Sequence, residues 1–138
     1  MPTIKLKANN GNYARVKNDN GQDGLWADGD ATNAVELECF TAGGYPSCTA
    51  PKTINFTTVY NSQTMHISLN GTTVVLDNST ASPVLEDRQF VLEWQDINKV
   101  ALKANNDQYV SQETDGSLRM KASRTCIGDW EIFTIEEV

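Results

Sequence analysis

Histidine is almost missing from this chain: its 138 residues include one, His66. A Ser-His-Asp or Cys-His relay would have to be built on that residue, and no nucleophile elbow or other local motif accompanies it. One imidazole and scattered thiols give no metal-ligand cluster either. Gly-x-Gly-x-x-Gly and phosphate-loop patterns are absent. Carboxylates do come in pairs, at Glu36/Glu38, Glu86/Asp87 and Glu136/Glu137. Acid–base chemistry needs two carboxylates facing across a cleft in contrasting environments, and these pairs read instead as the solvated outer faces of strands. The expectation is a protein that binds rather than transforms, with no metal and no cofactor.

Positive charge is also scarce. Lys and Arg total 11 against 18 Asp and Glu, a net −7 at neutral pH. Nucleic-acid phosphates and anionic membrane surfaces both require a cationic face, so neither is an expected partner. No apolar run approaches the roughly 20 residues that cross a bilayer. The stretch Met1–Lys7 alternates polar and apolar residues, unlike a secretory signal, so the expected location is cytoplasmic, with secretion as the alternative. The cysteines are three, Cys39, Cys48 and Cys126, an odd number at no metal-ligand spacing. Cys39 and Cys48 could bridge across the loop between them, but the expectation is three reduced thiols.

What is present is a repeat. Residues 4–13 read Ile-Lys-Leu-Lys-Ala-Asn-Asn-Gly-Asn-Tyr, and residues 100–109 read Val-Ala-Leu-Lys-Ala-Asn-Asn-Asp-Gln-Tyr. They align without a gap at a shift of 96 (100 − 4). Half that shift predicts a diverged copy opening near residue 52, where Ile54 and Phe56 begin an alternating run. Each copy divides into four short strands with Asn-, Asp- and Gly-rich turns, among them Asn20-Gly21, Asn70-Gly71 and Asp115-Gly116, and no sustained 3.6-residue period marks a helix. One domain over 1–138, with units at about 3–41, 52–95 and 98–138, predicts an all-β fold: a closed barrel capped by three hairpins.

The third unit carries a resemblance. Val100-Ala-Leu-Lys-Ala-Asn-Asn-Asp-Gln-Tyr-Val-Ser111, then Asp115-Gly116-Ser-Leu118, then Gly128-Asp-Trp130-Glu-Ile-Phe133, resembles the repeat of fascin-type β-trefoils. The first unit matches over its opening half, with Tyr13-Ala14-Arg15 where the family prefers Tyr-hydrophobic-Ser. The second matches by position. The resemblance implies a β-trefoil of three four-stranded repeats with pseudo-threefold symmetry, and a function among those of that family, which include actin bundling and carbohydrate recognition. The Gln-x-Trp repeat of ricin-type trefoils is absent.

A neutral sugar suits an exposed aromatic ring beside amides and carboxylates. In Gly24-Leu25-Trp26-Ala27-Asp28, Leu25 and Ala27 share one strand face, which turns Trp26 to the other. The third unit has Lys121 at the matching position, so Trp26 is the first candidate for a ligand platform. Asp28, Asp30, Asn9 and Asn10 lie in the same unit as hydrogen-bonding candidates, and Tyr45 in the 41–48 loop is a second aromatic one. The Asn9-Asn10 and Asn105-Asn106 pairs are equally explained as turn residues. Trp94, Trp130, Phe90 and Phe133 read as core. The first reading is glycan binding by a single lectin-like site on the first unit. An actin- or other protein-binding module and a loop-based protease inhibitor are the alternatives.

Overall fold

The structure is a computed structural model that describes residues 3–41, 53–78, 86–112 and 117–138. Among the described residues twelve strands run in chain order: β1 Thr3–Lys7, β2 Tyr13–Asp19, β3 Gln22–Gly29, β4 Leu37–Thr41, β5 Thr53–Tyr60, β6 Gln63–Asn70, β7 Thr73–Asp77, β8 Gln89–Asp96, β9 Lys99–Lys103, β10 Tyr109–Gln112, β11 Met120–Arg124 and β12 Ile132–Glu137. Two single-turn 3₁₀ segments, Glu86–Arg88 and Asp129–Glu131, are the only helical residues among those described. The alternation that marks the strands is the pleat itself: Ile4 and Leu6 of β1, and Ile54 and Phe56 of β5, point into the core, while their neighbours point out.

Six strands close a ring. β1 pairs with β4, β4 with β5, β5 with β8, β8 with β9, β9 with β12 and β12 with β1, every pair antiparallel. Closure leaves none of these strands with a free edge. Inside it, the register pairs Ile4–Leu37, Ile54–Phe90 and Val100–Phe133 supply six side chains, each at most 2% exposed. The other six strands form the hairpins β2–β3, β6–β7 and β10–β11. These hairpins meet one another through β3–β7, β7–β11 and a bridge between Trp26 and Arg119.

Two expected core aromatics are not core. Trp94 is 36% and Trp130 42% exposed, whereas Phe90 and Phe133 are buried. On β12 the inward residues are Phe133 and Ile135, and Glu131 just before it is also buried. Trp130 lies in the 3₁₀ turn Asp129–Glu131 ahead of the strand, outside its inward alternation, and stays exposed. Trp94 shares the phase of Phe90 and Leu92, but it stands at a bulge where β8 ends. The recurrent Tyr13 and Tyr109 do pack alike: their hydroxyls donate to Glu136 on β12 at 2.6 Å and to Glu93 on β8 at 2.8 Å, tying hairpin strands to barrel strands.

Arg88 is fully buried and pairs with Asp77 at 3.0 Å. His66 lies opposite Asp77 across β6–β7, with its Nδ1 buried and unpaired. Burial pushes the His66 pKa down, the Arg88 charge adds to that, and Asp77 opposes it. As pH falls the unfolded chain therefore takes up this proton first, near pH ~6.5. Stability that is fully present above that pH is lost on going below it.

Truncating Phe133 to Ala should cost about 3–5 kcal/mol in a denaturant melt, and Trp130→Ala only on the order of 1 kcal/mol. Equal losses would mean that the strand register is wrong. Between pH 7.5 and 5 the melting temperature should fall, and His66→Gln should flatten that dependence. An unchanged slope in the variant would assign it to other groups.

Candidate functional site

Four of the candidate residues, Trp26, Asp28, Asp30 and Asn10, are already engaged within the protein. Trp26 is 7% exposed, which overturns its reading as an open platform. The Arg119 guanidinium carbon lies 4.5 Å from its ring centroid and Lys17 Nζ 5.5 Å, both cation–π contacts. Alternation correctly turned Trp26 away from Leu25 and Ala27, yet all three are buried, because the converging hairpins cover the outer face of β3 as well. Gly24 belongs to the same packing: a Cβ there would stand 3.1 Å from the Trp26 ring and from the Val74 carbonyl.

Asp28 accepts from Arg15 Nε at 2.8 Å and Lys17 Nζ at 2.9 Å. Burial raises its pKa, but those hydrogen bonds and charges outweigh it and hold the carboxyl below its ordinary value. Asp30 Oδ1 accepts from the Thr32 hydroxyl and from the Thr32 and Asn33 backbone amides, which lower its pKa in turn. Asn10 donates to the Ala27 carbonyl at 3.0 Å and accepts from the Asn12 amide. Asn106 does the same with Ala122 and Gln108, so the turn explanation of these asparagines holds. Asn9 is exposed, and Tyr45 lies outside the described residues.

A cleft of about 590 Å³ lies elsewhere, between the first two units. Its floor is the outer face of β1, β4 and β5, where Thr3, Glu38 and Thr57 stand side by side in register. Val59, Tyr60 and Thr64 of the β5–β6 hairpin form one wall, and Asn33 to Glu36 form the other. Tyr60 is half-buried and packs against the core.

The register explains why the cleft is here. Ile4, Ile54 and Val100 occupy one ring position, so Ala8, Thr58 and Ala104 (each four residues on) correspond, as do Asn10, Tyr60 and Asn106 (each six on). Where the outer units bend into an Asn-stabilised turn, β5 runs straight through Tyr60 into a tight turn at Asn61-Ser62, with φ 52° and 63°. The hairpin projects and becomes a wall. Sequence reasoning missed Tyr60 and set Glu36 and Glu38 aside as solvated; the usable signal was the loss of the repeat pattern in the middle unit. A second recess of about 450 Å³, lined by polar residues such as Asp23, Asn70 and Asp77, has no aromatic wall among the described residues. No group of three or more metal-ligating side chains occurs among the described residues.

Cys39, next to Glu38 on β4, is disulfide-bonded, and Cys126 is free and exposed; Cys48 lies outside the described residues. This corrects the expectation of three reduced thiols. A disulfide takes two sulfurs, so thiol titration of unfolded, unreduced protein should find one thiol among the three cysteines, and finding three would remove the bridge.

No family model matches the chain, and no curated protein matches its sequence. Solved structures do match it. Lysenin in complex with phosphocholine superposes at a TM-score of 0.70 with 9% identity, covering 100% of this chain and 45% of lysenin. Cry35Ab1 superposes at 0.73 with 11% identity, over 99% of this chain and 36% of that one. The chain thus spans less than half the length of either. The BEL beta-trefoil matches nearly end to end, at 0.67 with 13% identity over 99% of this chain and 93% of that one. At these identities the likeness is one of fold: an all-β chain whose structural neighbours include a β-trefoil.

Proposed function

We propose that this protein is a glycan-binding β-trefoil, with no catalytic role, that holds its ligand in the cleft beside Tyr60. The observation that carries the reading is the cleft wall: an aromatic ring stands where the corresponding positions of the other units hold an asparagine already committed to the backbone. Sugars stack their apolar faces on such rings while hydroxyls and carboxylates pair with their hydroxyl groups. The cleft supplies these in Thr57, Thr64, Glu36 and Glu38. Lysenin, which contains a region of this fold, has been captured with phosphocholine, and that supports ligand recognition as a use of proteins built on it. The third unit's sequence keeps the fascin-type pattern, and we assign the chain to that branch, with the pseudo-threefold plan it implies. The Cys39 disulfide favours an oxidising compartment over the cytoplasm.

A glycan array at micromolar protein should give a defined response, and calorimetry should find one site per chain. Loss of one ring–sugar contact is worth about 1–2 kcal/mol, so Tyr60→Ala should weaken binding roughly tenfold, while Trp26→Phe should leave affinity intact once folding is confirmed. A flat array, or binding indifferent to Tyr60→Ala, would overturn the assignment.

A further inference from the structure

We propose that the glycan carries a protonated amine, and that the cleft holds an ammonium subsite formed by Glu36, Glu38 and Tyr60 above the Thr58 hydroxyl. This rests on the glycan reading and adds the charge of the ligand to it.

The first observation is an uncompensated charge. Burial alternates along this segment, with Val35, Leu37 and Cys39 inside and Glu36 and Glu38 outside, so both carboxylates lie on the cleft side. Neither makes an ion pair or side-chain hydrogen bond among the described residues, whereas Asp19, Asp28, Asp77 and Asp107 are all ion-paired. Among the described residues no Lys or Arg lines the cleft. Lys5, on the neighbouring β1, already donates its ammonium to the Ala31 carbonyl at 2.8 Å. Two acids in a recess on a chain of net −7 make a local field that gathers cations.

The second observation is independent. Thr58 is 7% exposed and lines the cleft, at the position where the first and third units carry the apolar Ala8 and Ala104. Its hydroxyl has no hydrogen-bond partner among the described residues, nor is it among the side-chain atoms sealed from solvent, so it opens onto the cleft. A hydroxyl introduced at a buried position is unfavourable unless something meets it, and here the cleft is where that partner would come from. The Tyr60 ring adds a π-face, which attracts ammonium groups.

A divalent metal fits less well, since calcium takes six to eight oxygens and no cluster of three metal-ligating side chains is present among the described residues. A neutral sugar would leave both carboxylates without a counter-charge. A protonated amino sugar uses every part of the site: ring, hydroxyls and carboxylates.

The test is calorimetry on the full chain at pH 6 with three probes of equal length: a glucosamine oligomer, its fully N-acetylated form and the corresponding glucose oligomer. The amine form should bind at least about tenfold tighter than either neutral form, and raising salt should erode that advantage. Glu36→Gln with Glu38→Gln should abolish the preference for the amine form over the two neutral ones. Removing two exposed charges that do not line the cleft, by Asp129→Asn with Asp96→Asn, should not. Equal binding of the three probes in the wild type, or a preference that survives the cleft double variant, overturns the ammonium subsite while leaving glycan binding standing. Binding of free choline but of none of the three oligomers overturns both. If the cleft variant does not fold, the wild-type probe comparison and its salt dependence still decide the question.

Discussion

Ring closure of six strands is the constraint on which the rest of the structure depends. Each barrel strand is paired on both edges, so none can slip by one residue without carrying its inward set to the outer face. The buried pairs Ile4–Leu37, Ile54–Phe90 and Val100–Phe133 lock that register from inside. The hairpins have less freedom than their length suggests, because β3, β7 and β11 touch one another. Tyr13 and Tyr109 further tie β2 and β10 to the barrel through carboxylates of β12 and β8.

With the register locked, departures from the repeat have to appear at the surface. The middle unit departs most. Its β5 continues through Thr58 and Tyr60, where the first and third units break off after Ala8 and Ala104 into loops that their asparagines pin to the backbone. The extra length is exposed as a hairpin standing off the barrel wall, and the space beside it is the cleft. The cleft thus arises from lost repeat identity, while the better preserved units spend the same positions on their own turns.

Electrostatics separates the two candidate regions in the same way. Around Trp26 the charges are internally matched: Arg119 with Asp19, and Arg15 and Lys17 with Asp28. Such a cluster, with guanidinium and ammonium over the indole, is a packed lid on the hairpin triangle. Around Tyr60 the charged residues among those described, Glu36 and Glu38, are of one sign and unmatched. Among the described residues the cleft thus leaves polar capacity unused by the protein, whereas the Trp26 region does not.

Much of this was legible in the chain itself. The 96-residue shift, the period-two alternation and the Asn-Gly turns determined an all-β chain of short strands, because those signals act over a few residues and do not depend on what packs outside them. The asparagine pairs were also readable as turn residues, since their bonds are local. Three matters were decided only by tertiary structure. Alternation gives the face of Trp26 but not what covers that face, and neighbouring hairpins do. Trp130 stands outside the core because the chain turns through a 3₁₀ segment there, and β12 starts only at Ile132. The cleft joins Thr3, the 33–38 segment and the β5–β6 hairpin, which are distant in sequence, and only the β1–β4–β5 register brings them side by side.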